Sequence, residues 1–381
     1  MKKKRYFLIL FMLAIGCKKP YNPPIVATQP SYLVVEGVIM AGADSTIIKL
    51  SRTVNLSNKG TNSPVANAAL SVESDGNASY PLTEIKTGYY ASPSLNLDNT
   101  KKYRLRIKTP DNQVYLSDFT AVSITPPIDS ISHSVLSNGV QINVNTHDPQ
   151  NKTRYYRWDY QETWKFHSQY PSGAMSDGVQ IVYRPADKQI YYCFAGDVST
   201  SILLGSSAML TQDVIYQSHI TFIEPTSEKI ELRYSILMRQ YALTNEAFTF
   251  WTNLKKNTEQ LGSIFDAQPS QINGNIHNLN NPEDIVVGYI GASTMQSKRI
   301  FIDNSEVPLT WEPVYPPSCT VDSFFYSRPF NDVAISLIPF SSAYIPLSPF
   351  GSPFIRGYTG ARRPCVDCTL RGKIQQPNFW H

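Results

Sequence analysis

Between Tyr32 and about Thr125 the chain is a succession of short runs of β-branched or alternating residues broken by turn residues, and that pattern restricts this stretch to β structure. The run 32–39 is rich in Val and Ile and stops at Gly42-Ala43-Asp44, and 46–54 partly alternates apolar and polar residues. A short run at 69–73 ends at the turn pair Asp75-Gly76. In 103–108, Leu105 and Ile107 share one face while Arg104 and Arg106 take the other, as a half-buried strand requires. Pro110-Asp111-Asn112 turns the chain, and Val114 resumes it. Strands recurring at roughly ten-residue spacing predict an immunoglobulin-like β-sandwich over 31–125. Pro126-Pro127 marks its end, because proline lacks the N–H that a continuing strand needs.

The β pattern continues beyond this point, so 126–381 reads as a second, larger β-rich domain. Residues 140–146, 155–160, 230–241 and 298–302 read as strands, with 288–293 leading into the last of them. One segment departs from the pattern. Residues 244–257 predict a helix, with Thr244 as its cap, Glu246 near the positive end and Lys255 and Lys256 near the negative end. Phe248, Trp251 and Leu254 recur at a spacing of three, which reads as a face packed on the core rather than a ligand platform. The stretch 315–364 is rich in Pro, Ser, Tyr and Phe and reads as long ordered loops, with aromatic residues around Tyr344 to Tyr358 available for contacts.

The N-terminal residues state an address. Lys2, Lys3, Lys4 and Arg5 precede an apolar run from Tyr6 to Ile15, then Gly16 and Cys17. This is the layout of a lipoprotein signal peptide over 1–17, in which the Cys17 thiol takes the lipid. The apolar run is shorter than the roughly 20 residues a permanent span needs. Residues 18–30 contain Pro20, Pro23, Pro24 and Pro30 and read as an extended tether that lifts the folded body off a membrane. Without residues 1–16 the chain carries 30 cationic and 30 acidic residues, so no basic excess remains to attract nucleic acid.

Beyond Cys17 there are four cysteines, Cys193, Cys319, Cys365 and Cys368. An even number in an exported chain fits disulfides, and three connectivities are open. The Cys365-Val366-Asp367-Cys368 spacing also admits a redox or a zinc reading. The first wants this pair to open a helix in an α/β unit, and the second wants four ligands. Structural disulfides are the expectation.

No catalytic, cofactor or metal motif stands out. Gly205-Ser206-Ser207 lacks the closing glycine of a nucleophile elbow, and Asp75-Gly76 lacks the further acidic ligands of a calcium loop. His133, His147, His167, His219, His277 and His381 are scattered without ligand spacing, and 275–282 reads as a turn-rich loop. The chain is therefore expected to be non-enzymatic and cofactor-free.

Several pieces together resemble a family of Bacteroidota lipoproteins, the domain-of-unknown-function family numbered 4249. They are Cys17, YLVVEG at 32–37, EAFTFWTNLKKN at 246–257, INGNIHN at 272–278, GYIGAS at 288–293, CVDCTLRG at 365–372 and PNFW at 377–380. The family pattern has two glycines before its final Pro-x-Phe-Trp, whereas here Gly372 is followed by Lys373. The resemblance implies an outer-membrane accessory lipoprotein, anchored through lipid on an unspecified face, that accompanies a TonB-dependent transporter in substrate capture or uptake. It carries no catalytic residues over. The competing expectation is a surface or periplasmic hydrolase of glycans or peptides, for which paired carboxylates in a cleft would be the mark.

Overall fold

The computed structural model describes residues 31–54, 63–177, 180–259, 274–325 and 343–381. Cys17 and the tether at 18–30 lie outside them. The described chain is mainly β, with several sheets and one α-helix. No helix among the described residues is long and apolar enough to cross a membrane.

The first strands are β1 (Leu33–Met40), β2 (Ser45–Arg52), β3 (Ser63–Pro64), β4 (Ala69–Ser74) and β5 (Ser79–Lys86). They are followed by β6 (Tyr89–Ser94), β7 (Lys102–Lys108), β8 (Val114–Ser117) and β9 (Thr120–Ser123). The alternation in β7 works as its sequence requires: Tyr103, Leu105 and Ile107 are buried and the residues between them are not. Asn77, in the turn after β4, takes a left-handed conformation (φ 64°), which asparagine tolerates better than most residues.

The second unit begins with β10 (Ile128–Leu136), β11 (Gly139–His147) and β12 (Tyr155–His167). Next come β13 (Ala174–Ser176), β14 (Ile181–Tyr183), β15 (Tyr192–Val198), β16 (Leu203–Ser206), β17 (Val214–Ile223) and β18 (Arg233–Leu243). Helix α1 (Asn245–Glu259) follows directly. The sheet β10-β11-β17 contributes Val140, Ile142 and Val144 to a core shared with Tyr156, Trp158 and Phe166 of β12 and Tyr234, Ile236 and Met238 of β18. Gly205 of β16 lies under Trp158; a Cβ there would sit 2.3 Å from the indole. The glycine that hinted at a nucleophile elbow is thus a packing requirement.

The chain then crosses back. Strands β19 (Ile276–Asn278), β20 (Val286–Val287) and β21 (Ala292–Ser293) all pair with the first unit. Strand β19 adds to β8, while β20 and β21 run parallel to β1. Because β21 also pairs with β9, and β9 with β7, the order β7-β4-β5-β6-β2-β1-β21-β9 closes into an eight-strand ring. Ile276, Val286, Ile290 and Ala292 fill the same core as Leu33, Ile48, Leu70 and Leu105. A division of the chain at 125 therefore omits a piece of the first unit. The stretch 275–282, expected as loop, opens with a strand because Ile276 and Asn278 both bury against β8.

After β21 the chain re-enters the second unit as β22 (Met295–Asp303), which pairs with β18 to give the order β15-β12-β18-β22. The stretch 315–364, expected as long loops, instead contains a small sheet. Strands β23 (Val321–Phe325) and β24 (Tyr344–Phe350) flank β25 (Gly357–Arg362). The prolines that hid β24 are accommodated because it is an edge strand, and its register breaks between Pro346 and Pro349. Leu347 and Ala361 are buried there with Cys365 and Val366, so this region carries a core of its own.

The four cysteines form Cys193–Cys368 and Cys319–Cys365, each with Cα atoms 5.7 Å apart. The two cysteines of the CxxC pair bond to different partners, which removes the reading of that pair as a dithiol site. The end of the chain then lies along β15, where Phe194 and Lys373 exchange two backbone hydrogen bonds of 2.8 Å. Trp380 packs edge-on against Phe194 (5.2 Å) and Phe301 (5.4 Å), and the Arg299 guanidinium stacks on Phe379 at 3.6 Å.

Candidate functional site

Residues of β1 and β2 face the outward side of β12, β18 and β22 across a shared cleft. Outward positions on β12 are Tyr155, Arg157 and Asp159, directly across from Leu243, Tyr241 and Arg239 of β18. Helix α1 leaves β18 after Thr244, whose hydroxyl accepts from Ala247 N at 3.2 Å as the expected cap. The helix folds back over β12, packing Phe248 against Tyr155 with the rings tilted (4.8 Å) and placing the Trp251 ring over the Arg157 guanidinium. The buried residues of the helix are Ala247 and Phe250, with Phe250 against Tyr289 (5.6 Å). Its core-facing stripe is thus shifted one step from the expected Phe248, Trp251 and Leu254, which are half-buried.

Between the units lies an open cleft of about 430 Å³. Gly37, Val38, Met40, Asp44, Ser45 and Ile47 form one wall. Arg157, Arg239, Tyr241 and Met295 form the other. Gly37 is required at its place: its φ is +149° and a Cβ would lie 2.5 Å from the Ile47 carbonyl.

Arg157 has an unusual environment. Its guanidinium lies 4.8 Å from the Tyr241 ring centre and 4.6 Å from that of Trp251. It makes an ion pair of 3.7 Å with Asp159, and its Nε is buried without a hydrogen-bond partner. The same Asp159 carboxylate serves Arg239 at 3.2 Å, so two guanidinium groups share one carboxylate. Further along the face, burial and then the nearby Arg239 charge hold the Arg299 pKa below its usual range. With one long ion pair to Asp159, the Arg157 guanidinium is weakly partnered, and a ligand that supplies an acceptor beside it can gain.

A second groove of about 550 Å³ lies on the other side of α1, lined by Asp118, Phe119, Asn245, Glu246, Asn253 and Tyr289 among others. Asp118 pairs with His277 at 3.3 Å.

The remaining polar clusters are paired internally. Inside the second unit, Tyr234 donates to Glu162 at 2.5 Å, and Lys229 bonds the other carboxylate oxygen. Tyr156 and Ser207 both donate to Asp213. Burial first and the adjacent carboxylate second raise the Tyr156 and Tyr234 pKa values, so both phenols stay protonated donors. The histidines remain apart: His133 contacts Glu306, His147 contacts Asp129, and His167 contacts Glu231. Among the described residues no group of three or more His, Cys, Asp or Glu could hold a metal ion.

Sequence reasoning missed the cleft. Its signal was present in the outward positions of β12, where Arg157 and Asp159 interrupt an aromatic strand, but the ring residues opposite them lie about a hundred positions earlier.

Residues 18–299 match the family described as domain of unknown function DUF4249. The chain belongs to the DUF4249 family. The matched span includes the ring, its returning strands and every cleft residue named above. The CVDCTLRG and PNFW pieces of DUF4249 resemblance fall outside it. No curated protein matches this DUF4249 chain. Among solved structures it is similar to a cycloalternan-degrading enzyme from Trueperella pyogenes, with 11% identity and a TM-score of 0.15, over 53% of this chain and 27% of that one. It is also similar to the BSP domain of a biofilm-associated protein, with 7% identity and a TM-score of 0.12, over 75% and 63% respectively. The DUF4249 chain thus spans less than two thirds of either structure's length, and at these scores neither likeness bears on fold or activity.

Proposed function

We propose that this protein is an outer-membrane-anchored accessory lipoprotein that works with a TonB-dependent transporter in substrate capture or uptake. The observation that carries the capture part is the inter-unit cleft, where Arg157 and Arg239 lie beside Tyr241 and the apolar Val38, Ile47 and Met295. This is the make-up of a binding site, and function commonly sits where domains meet. The anchor rests on the signal layout ending at Cys17, and the transporter partner on the sequence resemblance. In this reading the ring is a flattened, immunoglobulin-like spacer that holds one wall of the cleft above the Pro-rich tether.

The test is to solubilise native membranes in mild detergent, capture the protein through a tag linked to the exposed His381, and identify what accompanies it. A stoichiometric TonB-dependent barrel is the expected result. A solitary protein after gentle extraction overturns the partnership.

A second reading, hydrolysis of glycans or peptides, is favoured by one observation: Asp118 and Glu246 both line the groove beside α1. Hydrolysis of a glycan or peptide panel that is lost in Glu246→Gln would establish it. An inactive wild-type protein would end it.

A further inference from the structure

The two walls of the inter-unit cleft carry opposite charge, and the charges do not neutralise each other. On the ring wall, Asp44 is half-buried and makes no ion pair or hydrogen bond among the described residues. On the sheet wall, Arg157 and Arg239 share Asp159 as their one carboxylate, and the Arg157 contact is long at 3.7 Å. Apolar side chains also face the space between: Ile47 is 49% exposed, and Val38 and Met295 are half-buried. An anion alone would meet repulsion from Asp44, and a cation alone would meet the two guanidinium groups. A neutral apolar molecule would leave both walls desolvated and unpaired, which is costly.

From this arrangement we infer that the cleft binds a zwitterion with an apolar body, namely a free amino acid or short peptide. Its carboxylate is held by Arg157 and Arg239, its ammonium by Asp44, and its side chains lie against Ile47, Val38 and Met295. The planar guanidinium groups suit a carboxylate, which they can engage through two parallel N–H donors. Arg157 is pre-positioned for this by the Tyr241 and Trp251 rings, so little ordering remains to be done on binding. A volume of about 430 Å³ is within the range of small-molecule sites.

The inference rests on the substrate-capture part of the proposed function and names its ligand class. It is tested on the purified full-length protein in detergent by calorimetric titration with three probes: the dipeptide Leu-Leu, its N-acetyl form and its C-terminal amide. Saturable binding of Leu-Leu is expected, weakened roughly tenfold or more by blocking either end, since each block removes a charge-assisted contact. Asp44→Asn is expected to weaken Leu-Leu but to strengthen the N-acetyl form, an anion that loses its repulsion from Asp44. Arg239→Gln is expected to weaken Leu-Leu but to strengthen the amide, a cation that loses its repulsion from one guanidinium. Far-ultraviolet circular dichroism confirms that each variant is folded. Absence of Leu-Leu binding, equal binding of all three probes, or a folded Asp44→Asn protein with unaltered affinity overturns the inference. Failure of the transporter partnership is a separate result, because a solitary protein in the membrane capture can still bind the dipeptide.

Discussion

Thr125 and Ser293 lie 168 positions apart in sequence, yet their hydroxyl oxygens are 3.1 Å apart in the buried junction where the chain passes between the two units. Both residues also reach Ala242 at the end of β18: its N–H donates to Thr125 Oγ1 at 2.9 Å, and its carbonyl accepts from Ser293 Oγ at 3.3 Å. One knot of hydrogen bonds therefore joins the outgoing segment after β9, the returning strand β21 and the end of β18. Replacing either hydroxyl leaves buried partners unsatisfied, at about 1–3 kcal/mol. Thr125→Val and Ser293→Ala should each lower the denaturant midpoint, and the double variant should lose less than the sum because both changes break the same knot. Strict additivity in urea unfolding would show that the two hydroxyls act independently.

The disulfides should differ in weight. Cys193–Cys368 closes a separation of 175 residues and Cys319–Cys365 one of 46. A chain-entropy treatment assigns about 5 and about 4 kcal/mol to them as single crosslinks. Non-reducing peptide mapping should recover these two pairs and no Cys365–Cys368 peptide. The paired variant Cys193→Ala/Cys368→Ala should be the less stable of the two, because it also frees the C-terminal segment from β15. A reversed order in chemical unfolding would place the larger constraint in the small sheet of β23, β24 and β25.

Much of this architecture was legible in the residues, and the parts that were not share a cause. The runs at 32–39, 103–108 and 140–146 became strands because local alternation matches the burial they find. Helix α1 was legible from the Thr244 cap, while its buried face was not, because Ala247 and Phe250 are chosen by what the ring presents to them. The ring closure depends on the two-residue strand β21, too short to leave a period. The small C-terminal sheet was masked by Pro346 and Pro349, which an edge strand tolerates. The cleft was illegible for the same reason as the ring: Asp44 and Arg157 come together only through long-range pairing. The disulfide candidates were all found, but their connectivity is a property of the folded chain.

Trp380 is 6% exposed although it is the penultimate residue, and it is held between Phe194 and Phe301. Arg233 stacks on Phe301 at 4.5 Å and bonds the His381 carbonyl, closing the arrangement. Trp380→Ala removes a buried indole and should cost about 3–5 kcal/mol if the site does not collapse. The expected readout is a lower thermal midpoint together with faster proteolytic removal of residues after Lys373. Trp380→Phe should restore much of the loss. Equal stability of the alanine variant would mean that the last residues rest on the sheet without supporting it.

His147 supplies the clearest pH dependence. Its Nδ1 lies 2.7 Å from Asp129 Oδ2, and that hydrogen bond, then the Asp129 charge, lift the imidazole pKa above its usual 6.5. A raised folded-state pKa means that the protonated form is favoured by folding. The stabilisation is fully present below pH 6.5 and is lost as the pH rises through the higher folded value. The pair is about half exposed on both sides, so the effect on global stability is small and the titration itself is the better readout. In a proton NMR titration the His147 ring signals should move with a midpoint above 6.5, and Asp129→Asn should bring that midpoint down. An unaltered midpoint in the asparagine variant would assign the shift to the more distant Asp213 and Asp148 charges that also act on this ring.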